Sequence, residues 1–524
     1  MSIYTGPSDR VAFQLIVWPA IRGSIANALA VAWILVVLFL ALYNLDVFPT
    51  TWFDEGSHLH VPKTLVQQGA YADVSSEGLR YFGPTADVGP TVILPIAAAF
   101  RLAGVGLLPA RLVMVAYLLG AIGLVTLAAR RQYCRTTAWF ASVLIVTAPA
   151  VGLIPLGRQV LGEVPALAFL MLGFVLWRQG VHRRRTGVGR LLWASVAFGL
   201  VAMTKDQVAL ILLPTLALLC VVDRVHHRQL RLKDTLFPIV AVLAGSGAWH
   251  ALQLLPLLGT GDAGQMLALW RQASAEAILV FSPTRAASSL RFLAGPDVFA
   301  FWGAAGIVYG LILARQRSLA GVQQAFLAIF VLLGLTWYVF GSIGWPRAAF
   351  PALAVATLFV AKLWRDLLYG LAHAGGRARL GDHEDRRAWA PALLVVMALS
   401  VGFPLATQLR TLVSAHDHSP QLASAYLEAN VSRSEVIETW EPELGLLTDH
   451  RYHYPPLGWL DRAVRARWLG SAPGPGYDPA AAAAPTYLVV GPFAKYTGIY
   501  APTLAKMSAR PIASFGEYDV YRMR

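Results

Sequence analysis

The chain has 524 residues, of which 56% are hydrophobic and 14% are charged. Soluble globular proteins are about 25% charged, so this composition argues against a soluble enzyme. It also excludes an intrinsically disordered chain, because disorder requires few apolar residues and high charge. The formal net charge is +14, and most of the excess lies between long apolar runs. That distribution is typical of a membrane protein, and we expect no nucleic-acid partner.

Runs of about 20 apolar residues predict membrane-spanning helices. Eleven such runs lie near residues 27–47, 111–130, 137–155, 160–178, 190–204, 206–222, 235–256, 297–314, 322–341, 347–366 and 389–409. A further apolar segment, 88–107, contains Pro90, Pro95 and Arg101. We interpret it as a juxtamembrane or re-entrant helix in the first outer loop, because a twelfth span would invert the charge pattern that follows.

Clusters of basic residues set the expected orientation. They fall on alternate connections between the apolar runs, around Arg130, Arg183, Arg228, Arg315 and Arg377. The positive-inside rule places all these connections in the cytoplasm. The first loop, 48–110, and everything after the last apolar run are then extracytoplasmic.

Beyond about residue 410 the sequence becomes polar. Three short strand-like runs occur there, at Ser434–Thr439, Thr486–Val490 and Ser514–Tyr521. A Pro/Gly/Ala-rich passage at 471–485 is typical of a surface loop. We predict a transmembrane catalytic domain over residues 1–410 and a small extracytoplasmic α/β domain over residues 411–524.

An acidic pair opens the first outer loop. Asp54 and Glu55 follow Trp52 and Phe53, a few residues beyond the first predicted span. Aromatic side chains favour the membrane interface, whereas carboxylates do not contribute to anchoring there. The pair is either a functional site or a helix N-terminus, which favours negative charge.

Two further charged sites lie at the same membrane face in this topology. Glu163 lies just inside the outer end of the fourth span, where a carboxylate is costly unless it is paired or faces a cavity. A structural partnership with Arg158 is the alternative. Lys205 and Asp206 interrupt apolar sequence at the outer turn between the fifth and sixth spans, and a simple hairpin tip is the alternative there. Three charged sites at one face indicate a function more strongly than any one of them.

In their order and spacing, these motifs resemble those of membrane glycosyltransferases of the C-type (GT-C) fold. The resemblance is to the bacterial relatives of protein O-mannosyltransferases and aminoarabinose transferases, and it covers about residues 27–210. The matching elements are Asp54-Glu55, the Pro-containing segment 89–95, Arg111-Leu112, Glu163 and Thr204-Lys205. The sequence departs from the family at Val88-Gly89-Pro90, where many members have His-Pro-Pro or Lys-Pro-Pro.

The resemblance implies an α-helical polytopic enzyme that takes a sugar from a polyprenyl-phosphate donor. The acceptor would be a glycan, lipid or protein, and the active site would face outward from a bacterial cytoplasmic (inner) membrane, among its lipids. Displacing phosphate from C1 of the sugar requires a base for the acceptor hydroxyl and cations or a metal at the leaving phosphate. Such a single displacement inverts the configuration at C1.

The candidate residues fall into three groups. The catalytic candidates are Asp54, as base, with Glu55 and Glu163. The candidates for binding the donor phosphate are Lys205, Arg347 and Arg158. The candidates for contacting donor or acceptor are His58, Tyr81 and Arg111.

The motifs neither require nor exclude a divalent metal ion as a cofactor. Suitable ligand atoms are present on Asp54, Glu55, His58, His60 and Glu163. The alternative is that the two histidines are ordinary solvated residues of the first outer loop. Two other functions remain as alternatives. A transporter or flippase of a lipid-linked glycan places its charges near mid-membrane. A ligase that transfers a preassembled lipid-linked oligosaccharide shares the same donor chemistry.

Overall fold

The computed structural model describes residues 26–81, 88–183, 187–258, 264, 267–268, 279–295, 297–373, 383–470, 476–507 and 510–523. Arg377 and the first part of the Pro/Gly/Ala-rich passage, residues 471–475, lie outside the described residues. The described chain forms a bundle of apolar helices followed by a small domain built on a mixed β-sheet.

The chain up to Ser414 is mainly helical. Its helices are α1 (Ala26–Leu42), α2 (Phe53–Gln68), α3 (Pro90–Ala103), α4 (Leu107–Gln132), α5 (Arg135–Thr147), α6 (Leu153–Arg158), α7 (Glu163–His182), α8 (Val188–Ala202), α9 (Asp206–Val222), α10 (Leu232–Leu254), α11 (Pro283–Leu293), α12 (Val298–Ala314), α13 (Leu319–Phe340), α14 (Pro346–His373) and α15 (His383–Ser414). Between α2 and α3 lies an antiparallel hairpin, β1 (Asp73–Ser75) and β2 (Gly78–Arg80).

The predicted class, an α-helical polytopic membrane protein, is confirmed, but the count of eleven spans is not. Among the described residues, seven helices are long and apolar enough to cross a membrane, or eight if the bent pair α11–α12 is one span. Helices α1 and α8 are apolar but shorter. The predicted span 137–155 is interrupted between Thr147 and Leu153. Gly152 in that turn has φ of 61°, a left-handed conformation that favours glycine.

The segment that we interpreted as juxtamembrane forms α3. This helix has 14 residues, fewer than the roughly 20 needed to cross a bilayer. Pro90 occupies its first turn, where the missing N–H removes no helical hydrogen bond. The segment therefore adds no full span and packs beside α2 and α4.

The small C-terminal domain is also confirmed. Its elements are α16 (Ser419–Asn430), β3 (Val436–Thr439), α17 (Pro442–Leu447), β4 (Arg451–His453), α18 (Leu457–Val464), α19 (Pro479–Ala483), β5 (Tyr487–Val490), α20 (Pro492–Thr497), α21 (Ala501–Met507), β6 (Ala513–Phe515) and β7 (Tyr518–Arg522). The strand order is β4-β3-β5-β7-β6. Strand β3 is parallel to β4 and β5, and β7 is antiparallel to β5 and β6.

The strand predictions hold with two differences. The runs at Ser434–Thr439 and Thr486–Val490 form β3 and β5. The run at Ser514–Tyr521 is a hairpin of two strands, because the chain reverses at Gly516, which has φ of 55°. Strand β4 was not predicted, since its three residues are too few to show an alternating pattern.

The C-terminal domain packs directly on α2 through two glycines. A Cβ atom on Gly56 would lie 2.3 Å from the backbone nitrogen of Glu443. A Cβ atom on Gly445 would lie 2.3 Å from the ring of His60. Only glycine leaves room at both positions, so α2 and α17 approach each other closely.

Polar contacts reinforce this packing. The Lys63 ammonium group donates to the carbonyl oxygens of Gly445 at 2.7 Å and Thr448 at 2.9 Å, at the C-terminal end of α17. It also pairs with the carboxylate of Asp449 at 2.7 Å. Burial, together with the charge of Lys63, lowers the pKa of His60 to about 3. His60 is therefore a neutral interface residue and not a solvated loop histidine.

We predict that Gly56→Ala loosens the domain from α2, because the added methyl group meets the backbone of Glu443. Overpacking of this kind costs about 1–3 kcal/mol and should lower the melting temperature of the purified protein. The matched control is Gly120→Ala on α4, where a Cβ atom meets nothing within 4 Å. Equal melting temperatures for the two variants would show that the α2–α17 contact does not hold the domain.

Candidate functional site

Four charged side chains from four helices meet at one end of the bundle. Arg347 donates a hydrogen bond to the carboxylate of Asp54. The Oε1 atom of Glu163 lies 3.7 Å from the ammonium nitrogen of Lys205 and 3.9 Å from Nε of Arg347. The four side chains are between 2% and 16% exposed. We call Asp54, Glu163, Lys205 and Arg347 the charge cluster.

The cluster forms where four helices begin. Asp54 lies in the first turn of α2, and Glu163 is the first residue of α7. Lys205 is the residue before α9, and Arg347 lies in the first turn of α14. Helix N-termini favour carboxylates, which accounts for the two acids. The two cations oppose that preference, so they depend on the acids as partners.

Close backbone packing fixes the position of Lys205. Gly89 donates its N–H to the carbonyl oxygen of Thr204 at 3.2 Å, and a Cβ atom on Gly89 would lie 1.8 Å from the carbonyl oxygen of Met203. The Thr91 and Thr204 hydroxyl groups are hydrogen-bonded at 2.7 Å. No larger residue fits at position 89, which gives a physical reason for the Val88-Gly89-Pro90 departure.

Gly162 and two tryptophans complete the surroundings of the cations. A Cβ atom on Gly162 would lie 2.8 Å from Cδ of Lys205, so this glycine gives the lysine stem room to reach Glu163. The Arg347 guanidinium group lies 4.7 Å from the ring centre of Trp345 and 5.8 Å from that of Trp52. Cation–π contacts of this kind hold an arginine without using its hydrogen-bond donors.

Glu55 points away from the cluster into a buried ion pair. Its carboxylate accepts two hydrogen bonds from Arg111, at 2.9 and 2.5 Å, and both side chains are fully buried. The backbone N–H of Val160 also donates to it at 3.2 Å. Arg111 donates further to the carbonyl oxygens of Leu45 and Pro49, at 2.8 and 2.7 Å. This pair ties the start of α2 to α4 and to the chain leaving α1.

Arg158 is also occupied by backbone groups. Its guanidinium group donates to the carbonyl oxygens of Leu40 at 2.6 Å, Tyr43 at 2.7 Å and Phe48 at 3.0 Å. The last carbonyls of a helix have no partner within the helix, and Arg158 satisfies them at the end of α1. Glu163 pairs with the cations of the cluster, and the alternative Glu163–Arg158 partnership is not among the described contacts.

Of the other two predicted contact residues, only His58 has a described contact beside the Glu55–Arg111 pair. His58 is 1% exposed, and its Nδ1 atom is 2.7 Å from the carbonyl oxygen of Val160, next to the Glu55–Arg111 pair. Tyr81 follows β2 directly and is half-buried. Sequence reasoning did not identify Gly162 or Thr91, because their roles depend on contacts between distant segments.

The carboxylates do not form a metal centre as they are arranged. Asp54 and Glu163 face Arg347 and Lys205, and Glu55 faces Arg111. Within the described ranges, no three His, Cys, Asp or Glu side chains are grouped so that they could hold a metal ion.

The cavity at the charge cluster is small, and one carboxylate oxygen beside it has no hydrogen-bond partner among the described residues. The cavity lined by Glu163, Lys205, Trp337 and Arg347 has a volume of about 10 Å³, room for about one water molecule. The Oε2 atom of Glu163 is buried without a hydrogen-bond partner among the described residues. A buried acceptor without a partner is costly, and a hydroxyl group of a ligand would satisfy it.

Comparison with known proteins supports the fold. A family model described as dolichyl-phosphate-mannose-protein mannosyltransferase matches residues 87–247. The structure of ArnT from Cupriavidus metallidurans in the apo state is 17% identical, covers 96% of this chain and 98% of its own, and has a TM-score of 0.62. The same protein bound to undecaprenyl phosphate is 15% identical, with coverage of 95% and 98% and a TM-score of 0.58.

A more distant structure is that of the archaeal oligosaccharyltransferase AglB from Archaeoglobus fulgidus, in complex with an inhibitory peptide and a dolichol-phosphate. It is 14% identical, with coverage of 94% of this chain and 73% of its own and a TM-score of 0.56. No curated protein sequence matches the chain. The chain therefore has the GT-C fold, and the resemblance predicted from its sequence is confirmed.

We predict that substitutions of the two adjacent acids lower the stability of the protein by unequal amounts. Glu55→Gln leaves the fully buried charge of Arg111 uncompensated, so it should lower the free energy of unfolding by about 3–5 kcal/mol. Asp54→Asn should cost clearly less, because the amide oxygen still accepts from Arg347 and Glu163 still faces that cation. Thermal unfolding in detergent measures both. Equal losses, or a larger loss for Asp54→Asn, would contradict this assignment of the two acids.

Proposed function

We propose that the chain is a glycosyltransferase that moves a sugar from a polyprenyl-phosphate donor to an acceptor hydroxyl group at the outer face of a bacterial inner membrane. The observation that carries the proposal is the charge cluster, with its two cations and two carboxylates at one end of a GT-C bundle. The ArnT structure of this fold bound to undecaprenyl phosphate supports the donor class.

The cations are the proposed phosphate-binding groups. Lys205 and Arg347 both approach Glu163, which holds two like charges close together. An arriving phosphate competes with Asp54 for Arg347, since Arg347 forms strong charge-assisted hydrogen bonds with either anion. Phosphate binding thus separates Arg347 from Asp54 and opens the closed cavity.

Release from Arg347 makes Asp54 available as the base. The acceptor oxygen attacks C1 of the sugar, its proton passes to Asp54, and the bond between C1 and the phosphate oxygen breaks. The electron pair of that bond leaves with the phosphate, whose charge Lys205 and Arg347 stabilise. One displacement inverts the configuration at C1.

The remaining candidate residues are proposed as positioning groups. The buried Oε2 of Glu163 accepts a hydroxyl group from the acceptor or the sugar. Glu55 and Arg111 hold the start of α2, and with it Asp54. Arg158 holds the end of α1, and His58 holds the backbone at Val160. Of these residues, only Glu163 contacts the substrate, and the other four act through the backbone or side chains that they hold.

Orientation and domain limits are proposed from charge. The helix ends away from the charge cluster carry basic residues, including Arg130, Arg178, Arg224, Arg315 and Arg365. The positive-inside rule assigns such ends to the cytoplasm, which leaves the cluster and the domain of residues 411–524 outside. Residues 1–410 then form the catalytic bundle, with acceptor recognition at its outer surface.

The test is a transfer assay with purified protein and labelled polyprenyl-phosphate sugars. Asp54→Asn should reduce transfer about 10²–10⁴-fold, as expected for the loss of a general base, while leaving donor binding intact. Lys205→Ala should instead weaken donor binding about tenfold or more, because one charged hydrogen bond to the phosphate is lost.

Arg158→Lys is the control, since it changes a buried cation near the cluster that is bonded to backbone carbonyls; it should alter stability more than transfer per folded molecule. The donor set includes a lipid-linked oligosaccharide, whose exclusive use would favour the ligase function. Transfer by Asp54→Asn at the wild-type rate would reject Asp54 as the base.

A further inference from the structure

A second cavity lies at the other end of the bundle. It has a volume of about 320 Å³ and is lined by the end of α4, the start of α5, the turn between α12 and α13, and the later part of α14. Lys362 lines this cavity and lies on the same helix as Arg347, α14. At the rise per residue of an α-helix, the two residues are about 22 Å apart along the helix axis. The cavity is therefore separate from the charge cluster.

The lining of this cavity is cationic. Lys362 and Arg365 both line it, and no carboxylate is among its described lining residues. Asp366 pairs with both cations from outside the lining, at 2.7 Å from Arg365. It also accepts the hydroxyl group of Tyr309 at 2.5 Å. Two cations that share one carboxylate leave a formal charge of +1 beside the cavity.

Neutral donors accompany these cations. Gln324 is 2% exposed, and its Oε1 atom accepts the hydroxyl group of Tyr133 at 2.5 Å. Its Nε2 atom is buried and has no acceptor among the described residues. Gln316 also lines the cavity, as does Gln132, whose amide nitrogen already donates to the carbonyl oxygen of Ala320 at 3.3 Å. Cys134 precedes the positive N-terminus of α5. Buried donors without acceptors are rare in folded proteins.

We propose that this cavity binds the phosphate group of an anionic ligand on the cytoplasmic side, either a phospholipid head group or a soluble phosphate ester. Its volume lies in the range of ligand pockets, about 300–1,000 Å³. Lys362 and Arg365 form charge-assisted hydrogen bonds with the phosphate oxygens. Gln324 donates to a phosphate oxygen or to an adjacent hydroxyl group. The proposal does not depend on the function proposed for the charge cluster.

A native cysteine in the lining can report ligand binding to this cavity. It has two cysteines, Cys134 and Cys220, and only Cys134 lines the cavity. In a Cys220→Ser protein purified in phosphate-free maltoside detergent, N-ethylmaleimide alkylates Cys134, and the rate is followed by mass spectrometry. Inorganic phosphate is added in one arm, phosphatidylglycerol in a second, and sodium chloride of equal ionic strength or diacylglycerol in the controls.

We expect phosphate or phosphatidylglycerol to slow the alkylation of Cys134, and the arm that does so identifies the source of the ligand. Lys362→Gln should raise the concentration for half-protection about tenfold, as for one charged hydrogen bond, and Gln324→Leu should raise it as well. Arg224→Gln, which removes an exposed cation outside the lining, should leave it unchanged.

Three results would overturn the proposal. Protection by chloride or diacylglycerol equal to that by the phosphate compounds would show that no phosphate is recognised. Protection that survives both Lys362→Gln and Gln324→Leu would place the binding elsewhere. A thiol that stays unmodified in every arm would show that the cavity is closed to ligands.

Discussion

The buried ion pair between Glu55 and Arg111 is the constraint on which the site depends. Both side chains are fully buried and joined by two hydrogen bonds, so removing either partner leaves an uncompensated charge. Arg111 also bonds the chain between α1 and α2, while Glu55 accepts the N–H of Val160 just before α7. One interaction therefore joins the ends of helices at the charge cluster and orients the start of α2, which carries Asp54.

The charge cluster has equal numbers of positive and negative groups, and its cavity is small. In the proposed mechanism, an anionic phosphate disturbs this balance of charge by taking Arg347 from Asp54. In this account, the proposed leaving-group cation also protects the proposed base until the donor arrives. The C-terminal domain adds a second restraint on α2, through Gly56 and Lys63, so the position of Asp54 is fixed from two sides.

The sequence predicted all four residues of the charge cluster, and their roles stay predictions. Asp54, Glu163, Lys205 and Arg347 were all candidates, because charge at the end of an apolar run is costly and visible in sequence. Asp54 was the predicted base and Glu55 a neighbouring catalytic candidate, but successive side chains on a helix diverge by about 100°, and only tertiary packing shows that Glu55 meets Arg111. Arg158 looked like a phosphate ligand because the carbonyls that it bonds, at the end of α1, belong to a distant segment. The count of eleven spans is not confirmed for a similar reason, since composition does not show where a run such as 137–155 turns.

A cryo-electron microscopy structure of the protein with a polyprenyl phosphate tests the central claim most directly. The account predicts phosphate density within hydrogen-bonding distance of Lys205 and Arg347, with Arg347 separated from Asp54 and the Glu55–Arg111 pair unchanged. Phosphate bound elsewhere, with the Asp54–Arg347 contact intact, would contradict it.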